Sequence, residues 1–292
     1  MGRQMSAKCI MLQGTSSHVG KSILATGLCR LFFQEGFRVA PFKAQTITMH
    51  SYRLADGDEI GIAQGIQAEA AGVQPQAVMN PLLLQPQKKS GTRVIARGRL
   101  LGEMDAWEYR KNYYLRGLEI IEKAWRQLSQ ENEILVIEGA GSPVEVNLKD
   151  RDLANMQTAL LADSPVILVA DIDRGGAFAA LVGTLALLDP GEKALVKGFI
   201  INKFRGERRL LQPALDFLEK RTGLPVLGVV PFLDNLEIEE EDSHTGVGKV
   251  RLSVEDTGDA KKRKKRGEDY DRLAAMLREQ LDLKLLYAIM GL

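Results

Sequence analysis

The chain is poor in the residues that staple small proteins together. Only two cysteines, Cys9 and Cys29, stand among its 292 residues. Both fall inside apolar patterns, so they read as core packing in a reducing compartment, not as a disulfide or metal pair. The three histidines, His18, His50 and His244, are not spaced as a metal site. Neither sign of charge dominates: 39 Lys and Arg against 38 Asp and Glu leave a net charge of +1. No global field therefore gathers nucleic acid or an anionic membrane. Long apolar runs are missing as well. The richest stretch, Ala177 to Leu188, is shorter than the roughly 20 residues a bilayer span needs, and no apolar signal region precedes the first strand pattern. The expectation is a cytoplasmic protein with no membrane or nucleic-acid partner, long enough for one α/β domain plus an appendage.

What is present begins with Gly14-Thr15-Ser16-Ser17-His18-Val19-Gly20-Lys21-Ser22. An apolar strand pattern, Cys9 to Leu12, precedes it, and Ile23, Leu24, Leu28, Leu31 and Phe32 follow at helical spacing. Strand, glycine-bearing loop and helix make a phosphate cradle. The glycines allow successive N–H groups to face one anion, and the helix N-terminus adds free N–H groups and partial positive charge. Lys21 is placed to reach the β- and γ-phosphates, and the Ser22 hydroxyl to ligate Mg²⁺. Five residues separate the two glycines, one more than in the common form of this loop. The nucleotide-binding stretch is read as Gly14 through Ile23.

Strand and helix patterns then alternate. Val39 to Phe42, Ile134 to Ile137, Val166 to Val169, Gly198 to Ile201 and Val226 to Val230 are short apolar runs, as strands buried on both faces of a parallel sheet require. Helices are expected over Glu59 to Ala71, Trp107 to Leu128, Gly175 to Leu188 and Glu207 to Thr222. The fold class is α/β: a doubly wound, mainly parallel sheet with helices on both faces, of the phosphate-loop NTPase type, with ligands at the carboxyl ends of the strands. Three regions are expected: 1–243 as the main domain, 244–267 as a charged linker holding the basic run Lys261 to Arg266, and 268–292 as an amphipathic helix with Tyr270, Leu273, Leu277, Leu281 and Leu285 on one face. That helix must dock on this domain or on a partner.

Polar residues collect at the strand ends. Lys43 follows the second strand. Glu138, before Gly139-Ala140-Gly141-Ser142, suits a magnesium ligand or a group that orients the ion's water. Asp150 or Asp152 is placed to cap the helix that begins beside them. Asn202 and Lys203 end another strand, where an amide can read a base edge.

Taken in order, Gly14-Thr15…Gly20-Lys21-Ser22, Phe42-Lys43, Glu59-Ile60-Gly61…Ala63-Gln64, Met79-Asn80-Pro81, Glu138-Gly139-Ala140-Gly141-Ser142-Pro143, Asp150-Arg151-Asp152…Asn155-Met156, Asp171-Ile172-Asp173-Arg174-Gly175-Gly176, Ile201-Asn202-Lys203-Phe204-Arg205-Gly206 and Glu241-Asp242-Ser243 resemble the cobyric acid synthase family. The resemblance covers its ATP-binding synthetase domain, about residues 6 to 243, and the terminal helix. It implies ATP- and Mg²⁺-dependent activation of corrinoid side-chain carboxylates as acyl phosphates, followed by amidation. It implies that Lys21 and the loop amides hold the triphosphate, and that Ser22, Glu138 and Glu59 hold Mg²⁺. Lys43 would neutralise the transferred phosphoryl group, Asp150 and Asp152 would lie by the corrinoid carboxylate, and Asn202 would touch adenine.

Two departures accompany the resemblance. The family carries a glutamine amidotransferase domain between Glu-Asp-Ser and the terminal helix; here a short segment stands there, and no cysteine follows Cys29. Ammonia from solution or from a separate glutaminase subunit is the implied nitrogen source. The family's Lys-Pro-Gln-Asn-Met-Ala-Leu-Asn-Ser is Lys43-Ala44-Gln45-Thr46-Ile47-Thr48-Met49-His50-Ser51 here, an arginine is replaced by Ile62, and a lysine by Gln85. These changes are read as substrate-side drift. The acceptor is thus a corrinoid or another polycarboxylate, with an altered-substrate paralogue or a nucleotide-dependent accessory protein as alternatives. Thr15 stands where partitioning ATPases carry a second lysine, which argues against the switch. A homo-oligomer is left open.

Overall fold

The computed structural model describes residues 7–87, 91–105, 108–109, 113–233, 251–253 and 260–292, with side chains left aside at 251–253 and 260–263. Its centre is a six-stranded parallel sheet in the order β12-β11-β10-β1-β9-β2. The strands are β1 (Lys8–Gly14), β2 (Val39–Phe42), β9 (Ile134–Glu138), β10 (Val166–Asp171), β11 (Val196–Phe204) and β12 (Val226–Pro231). Each contains one of the apolar runs read from the sequence. Successive residues of a strand point to opposite faces, so an unbroken run supplies two cores.

On one face Met11, Leu135, Ile137, Leu168 and Phe199 pack under α3 (Tyr114–Glu131), α4 (Met156–Ala162), α5 (Ala177–Leu187) and α7 (Arg208–Thr222). On the other, Ile10, Leu12, Ile134, Val136 and Ile167 pack under α1 (Lys21–Gln34) and α2 (Ile62–Ala70). That second face is completed by α8 (Ala260–Gln280) and α9 (Leu283–Met290). A short helix α6 (Pro190–Leu195) leads into β11.

The terminal segment therefore docks on its own domain. Tyr270, Leu273 and Leu277 are buried against α1, and Leu277 sits over Gly27, where any Cβ would collide with it. Arg30 pairs with Asp271 at 2.7 Å, and Tyr287 donates to Glu35 at 2.6 Å. Two expectations change here. The helix begins at Ala260, inside the stretch read as linker, and Arg266 at the end of the basic run lies 3.2 Å from the Glu69 carboxylate. The segment is also two helices, broken where Asp282 gives its N–H to Leu227 and caps α9 by accepting from Leu285. Residues 244–250 and 254–259, with Glu241 to Ser243, lie outside the described residues, as does Trp107.

The sequence also concealed two small sheets. β3 (Gln45–Ile47) pairs in parallel with β6 (Leu82–Gln87), which continues into an antiparallel meander with β7 (Gly91–Ala96) and β8 (Arg99–Met104). β4 (Ser51–Arg53) pairs with β5 (Glu59–Ile60) and with β13 (Arg251–Ser253). Glu59 and Ile60, expected in a helix, are thus the strand that precedes α2. Because β3 follows Lys43 directly, the first of these sheets is held beside the carboxyl ends of β2 and β9.

Candidate nucleotide site and its cleft

The chain places β9 to one side of β1 and β10 to the other, so the sheet changes direction at β1, the point where ligands of such sheets bind. The glycine-bearing loop leaves β1 there and enters α1. Gly20 has φ +90°, and a Cβ on it would collide with the Asn202 amide nitrogen; only glycine fits both conditions. The loop is held from outside. Asn202 donates to the Val19 carbonyl at 2.8 Å, Lys203 to the His18 carbonyl at 2.5 Å, and Thr15 N–H to the Val169 carbonyl at 2.9 Å. Lys21 folds over the loop and donates to the Ser16 and Gly141 carbonyls at 3.2 and 3.3 Å. The Asn202 amide nitrogen expected at a base edge is therefore committed to the loop, because β11 ends directly beneath it.

The centre of the site is Glu138, at the end of β9 and 1% exposed. Its Oε1 accepts from the Ser22 hydroxyl at 2.8 Å and from Lys43 Nζ at 3.0 Å, while Oε2 accepts from Gln67 Nε2 at 2.6 Å. Burial alone would raise this carboxyl. The Lys43 ammonium, the Gln67 amide and Lys21 outweigh it and hold the group below the ordinary carboxylate range. The network joins four elements: α1, the end of β2, α2 and β9. Asn80 fixes two of them, donating to the Lys43 carbonyl at 2.8 Å and accepting from the Gly61 N–H at 2.8 Å.

A cleft of about 740 Å³ opens from this centre. Ser17, His18, Lys21, Ser22, Lys43 and Glu138 line one end. Ile47, Leu84, Pro86, Thr92, Tyr109 and Tyr114 line the other. Tyr109 stacks on Tyr113 with ring centroids 5.3 Å apart and donates to Gln45 at 2.9 Å. Arg151 lies 5.5 Å from the Tyr114 ring centroid. Between the ends, Asn155 pins the loop after β9, accepting from Ala140 N–H at 3.0 Å and donating to the Ala140 carbonyl at 2.8 Å.

The expected site residues divide. Lys21, Ser22, Lys43 and Glu138 are brought together with Ser17, His18 and Gly20 of the loop. Asp152 lines the cleft, but its carboxylate accepts the N–H groups of Ala154, Asn155 and Met156, each at 3.0 Å, and so caps α4. Burial pushes its pKa up, and those N–H groups offset only part of the rise. Asp150 lies outside the cleft lining, with an exposed side chain 3.7 Å from Arg151 Nε. Glu59 also lies outside it and accepts from Ser51 Oγ at 2.8 Å. Among the positions read as drift, Ile47 alone lines the cleft. Ile62 is buried in the core under α1, and Gln85, on the opposite side of β6 from Leu84 and Pro86, accepts from Arg93 at 2.7 Å. Strand alternation in β6 sends Gln85 away from the cleft, and the packing of α2 against α1 turns Ile62 into the core. Gln67, Asn80 and Asn155 were missed as supports. Their signal was polar side chains inside otherwise apolar segments, since buried polar groups are kept where they find partners.

A family model described as the CobQ/CobB/MinD/ParA nucleotide binding domain matches residues 10–245. The chain is 58% identical over 247 residues to the cobyric acid synthase of Desulforamulus reducens, covering 85% of this chain and 48% of that protein. It is 60% identical over 239 residues to the cobyric acid synthase of Pelotomaculum thermopropionicum, covering 81% and 45%. With that of Desulfitobacterium hafniense it is 52% identical over 271 residues, covering 93% and 52%. The chain spans about half the length of the curated relatives it matches.

Proposed function

The chain belongs to the family of CobQ/CobB/MinD/ParA nucleotide-binding domains, and from that premise we propose that it is the ATP-using, amide-forming unit of a cobyric acid synthase in cobalamin biosynthesis. The observation that carries this reading is the convergence of Ser22, Lys43 and Gln67 on the buried Glu138. It lies at the phosphate-loop end of a cleft whose far wall is apolar and aromatic. Such a cleft suits a nucleotide at one end and a large macrocyclic polycarboxylate at the other.

A side-chain carboxylate oxygen of the corrinoid attacks the γ-phosphorus of ATP, the bond to the bridging oxygen breaks, and ADP leaves. Ammonia then attacks the acyl phosphate carbon, inorganic phosphate departs, and the nitrogen loses a proton to give the amide. Lys21 and the loop N–H groups grip the β- and γ-phosphates. Lys43 neutralises charge on the phosphoryl group in flight. Ser22 and Glu138 offer adjacent hard oxygen donors, 2.8 Å apart, which fits Mg²⁺. Magnesium, when bound there, spreads the triphosphate's negative charge. Glu59 as a further ligand, Asp150 beside the acceptor carboxylate and Asn202 beside adenine rest on the resemblance alone. Asp152 acts by holding the start of α4 against the cleft, and Asn202 and Lys203 by holding the loop. Nitrogen is proposed to arrive as ammonia, free or from a separate glutaminase; the chain's two cysteines, Cys9 and Cys29, are both buried and do not offer the exposed thiolate an amidotransferase needs.

The test is ADP release by the purified chain with cobyrinic acid a,c-diamide, Mg²⁺ and either ammonium or glutamine. Acceptor-dependent release with amide formation on ammonium is expected. Release that ignores the acceptor would overturn the ligase reading, and amidation from glutamine alone would overturn the nitrogen assignment.

A further inference from the structure

The helix α2 is buried almost all round: Ile62, Ala63, Ile66, Ala68 and Ala70 are covered, and so are two glutamines, Gln64 and Gln67, both with 0% exposure. A primary amide taken from water into such surroundings is costly unless it is bonded. Gln67 is bonded to one group above all: Nε2 lies 2.6 Å from Glu138 Oε2 and 3.5 Å from the Ser22 carbonyl. Its own oxygen faces the Gln64 amide at 3.5 Å. The orientation is dictated by charge, since the reversed amide would set an oxygen lone pair against the carboxylate.

We infer that Gln67 is the positioning residue of the nucleotide site. It occupies one oxygen of Glu138 and thereby turns the other onto Ser22 and Lys43. This inference rests on the nucleotide and Mg²⁺ assignment proposed above. With Oε2 held, the carboxylate cannot rotate about its own axis, and Oε1 stays 2.8 Å from the Ser22 hydroxyl and 3.0 Å from Lys43. The holder is itself fixed at both ends. Gly61 N–H at the start of α2 is taken by Asn80 Oδ1 at 2.8 Å. Glu69, near its other end, accepts from Tyr52 at 3.1 Å and from Tyr270 of α8 at 3.2 Å. Groups that orient a ligand carboxylate from behind commonly change metal affinity by about 10–100-fold when lost.

The experiment is calorimetric binding of a non-hydrolysable ATP analogue with and without Mg²⁺, using the full chain and no acceptor. Gln67→Met keeps length and volume and removes the donor. It is expected to lower the gain in affinity that Mg²⁺ confers by about tenfold, leaving the metal-free affinity unchanged. Glu138→Gln should abolish the gain, and adding Gln67→Met to it should cost nothing more. A merely structural glutamine would instead lower affinity equally with and without Mg²⁺, and that result overturns the inference. So does a full metal gain in Gln67→Met, or losses that add in the double variant. Should Gln67→Met not fold, as judged by circular dichroism, Gln67→Asn, which withdraws the same amide by one methylene, carries the same comparison. A native chain that gains nothing from Mg²⁺ overturns the metal assignment and this inference with it; a native gain matched by the variant overturns the inference alone.

Discussion

The cleft carries two carboxylates, Glu138 buried and Asp152 half-buried, and their surroundings drive them in opposite directions. Burial raises both. At the phosphate-loop end Lys43, Gln67 and Lys21 reverse that push and hold Glu138 ionised. Further along the cleft Asp152 accepts three backbone N–H groups and the Asn155 amide, with no cation paired to its oxygens among the described residues, and its pKa stays up. The walls differ in the same sense. Lys21, Ser22, Lys43 and Glu138 are tied to one another or to loop carbonyls, whereas Ile47 of the far wall is 61% exposed and Leu148 47%. One end gathers the lysines of α1 and of the segment after β2 around Glu138; the other is walled by exposed apolar and aromatic side chains.

The largest effect that would break this comparison is at its centre. Glu138→Gln keeps the shape and removes the charge, so Mg²⁺-dependent turnover should fall about 10²–10³-fold, the scale for losing one preorganised charged contact, while ATP still binds. ADP release titrated with Mg²⁺ measures it, and normal turnover would reduce Glu138 to a loop acid. Next, Lys21→Ala should weaken ATP binding about 10–100-fold, from charge-assisted bonds of roughly 1.5–3 kcal/mol. The melting temperature of the ligand-free chain should change little, since the Lys21 ammonium bonds the loop carbonyls of Ser16 and Gly141. Equal affinity by calorimetry would discard the phosphate-loop assignment.

A change at the other end should spare the nucleotide. Tyr109→Phe removes the hydrogen bond to Gln45, and the acceptor KM should rise about fivefold, the equivalent of roughly 1 kcal/mol. The KM for ATP should stay put; a rise in both would erase the division between the ends. The smallest effect concerns acidity. Because the folded pKa of Asp152 lies above its ordinary value of 3.8, the folded state holds this proton more tightly than the unfolded one. The stability it contributes is present below about pH 3.8 and is lost as pH rises through the raised value. Denaturant titrations should therefore show the native chain losing stability relative to Asp152→Asn across that interval. Parallel curves for the two would mean that the three N–H groups cancel burial fully.

The strands of the central sheet were legible because a strand buried on both faces has no polar register to confuse it: Ile134 to Ile137 and Val166 to Val169 admit few other readings. The phosphate loop was legible because its chemistry is local. The meander of β6 to β8 was not, since Pro86, Gly91 and Arg93 interrupt any alternation. Glu59 was read into a helix because the short strand before α2 takes its identity from pairing with β4, a contact between segments. The hold of Asn202 on the loop was missed for a related reason. Its place at a strand end was visible, but the Val19 carbonyl 183 positions away was not. The supports Gln67, Asn80 and Asn155 act across four elements, and no spacing in one dimension encodes them.

The docking of α8 on α1 has a kinetic corollary. Arg30 meets Asp271 across 241 positions, and Tyr287 meets Glu35 across 252. The core face that Leu24 and Leu28 begin is thus completed only when Leu273 and Leu277 arrive. Closing so long a loop costs chain entropy before the contacts repay it, and distant pairings slow a folding reaction. Until that closure the apolar side of α1, directly behind the phosphate loop, stays open to water and to other chains. During refolding the last event should be the seating of residues 270–290. A chaperone or an aggregate would compete for that same strip of Leu24, Gly27 and Leu28.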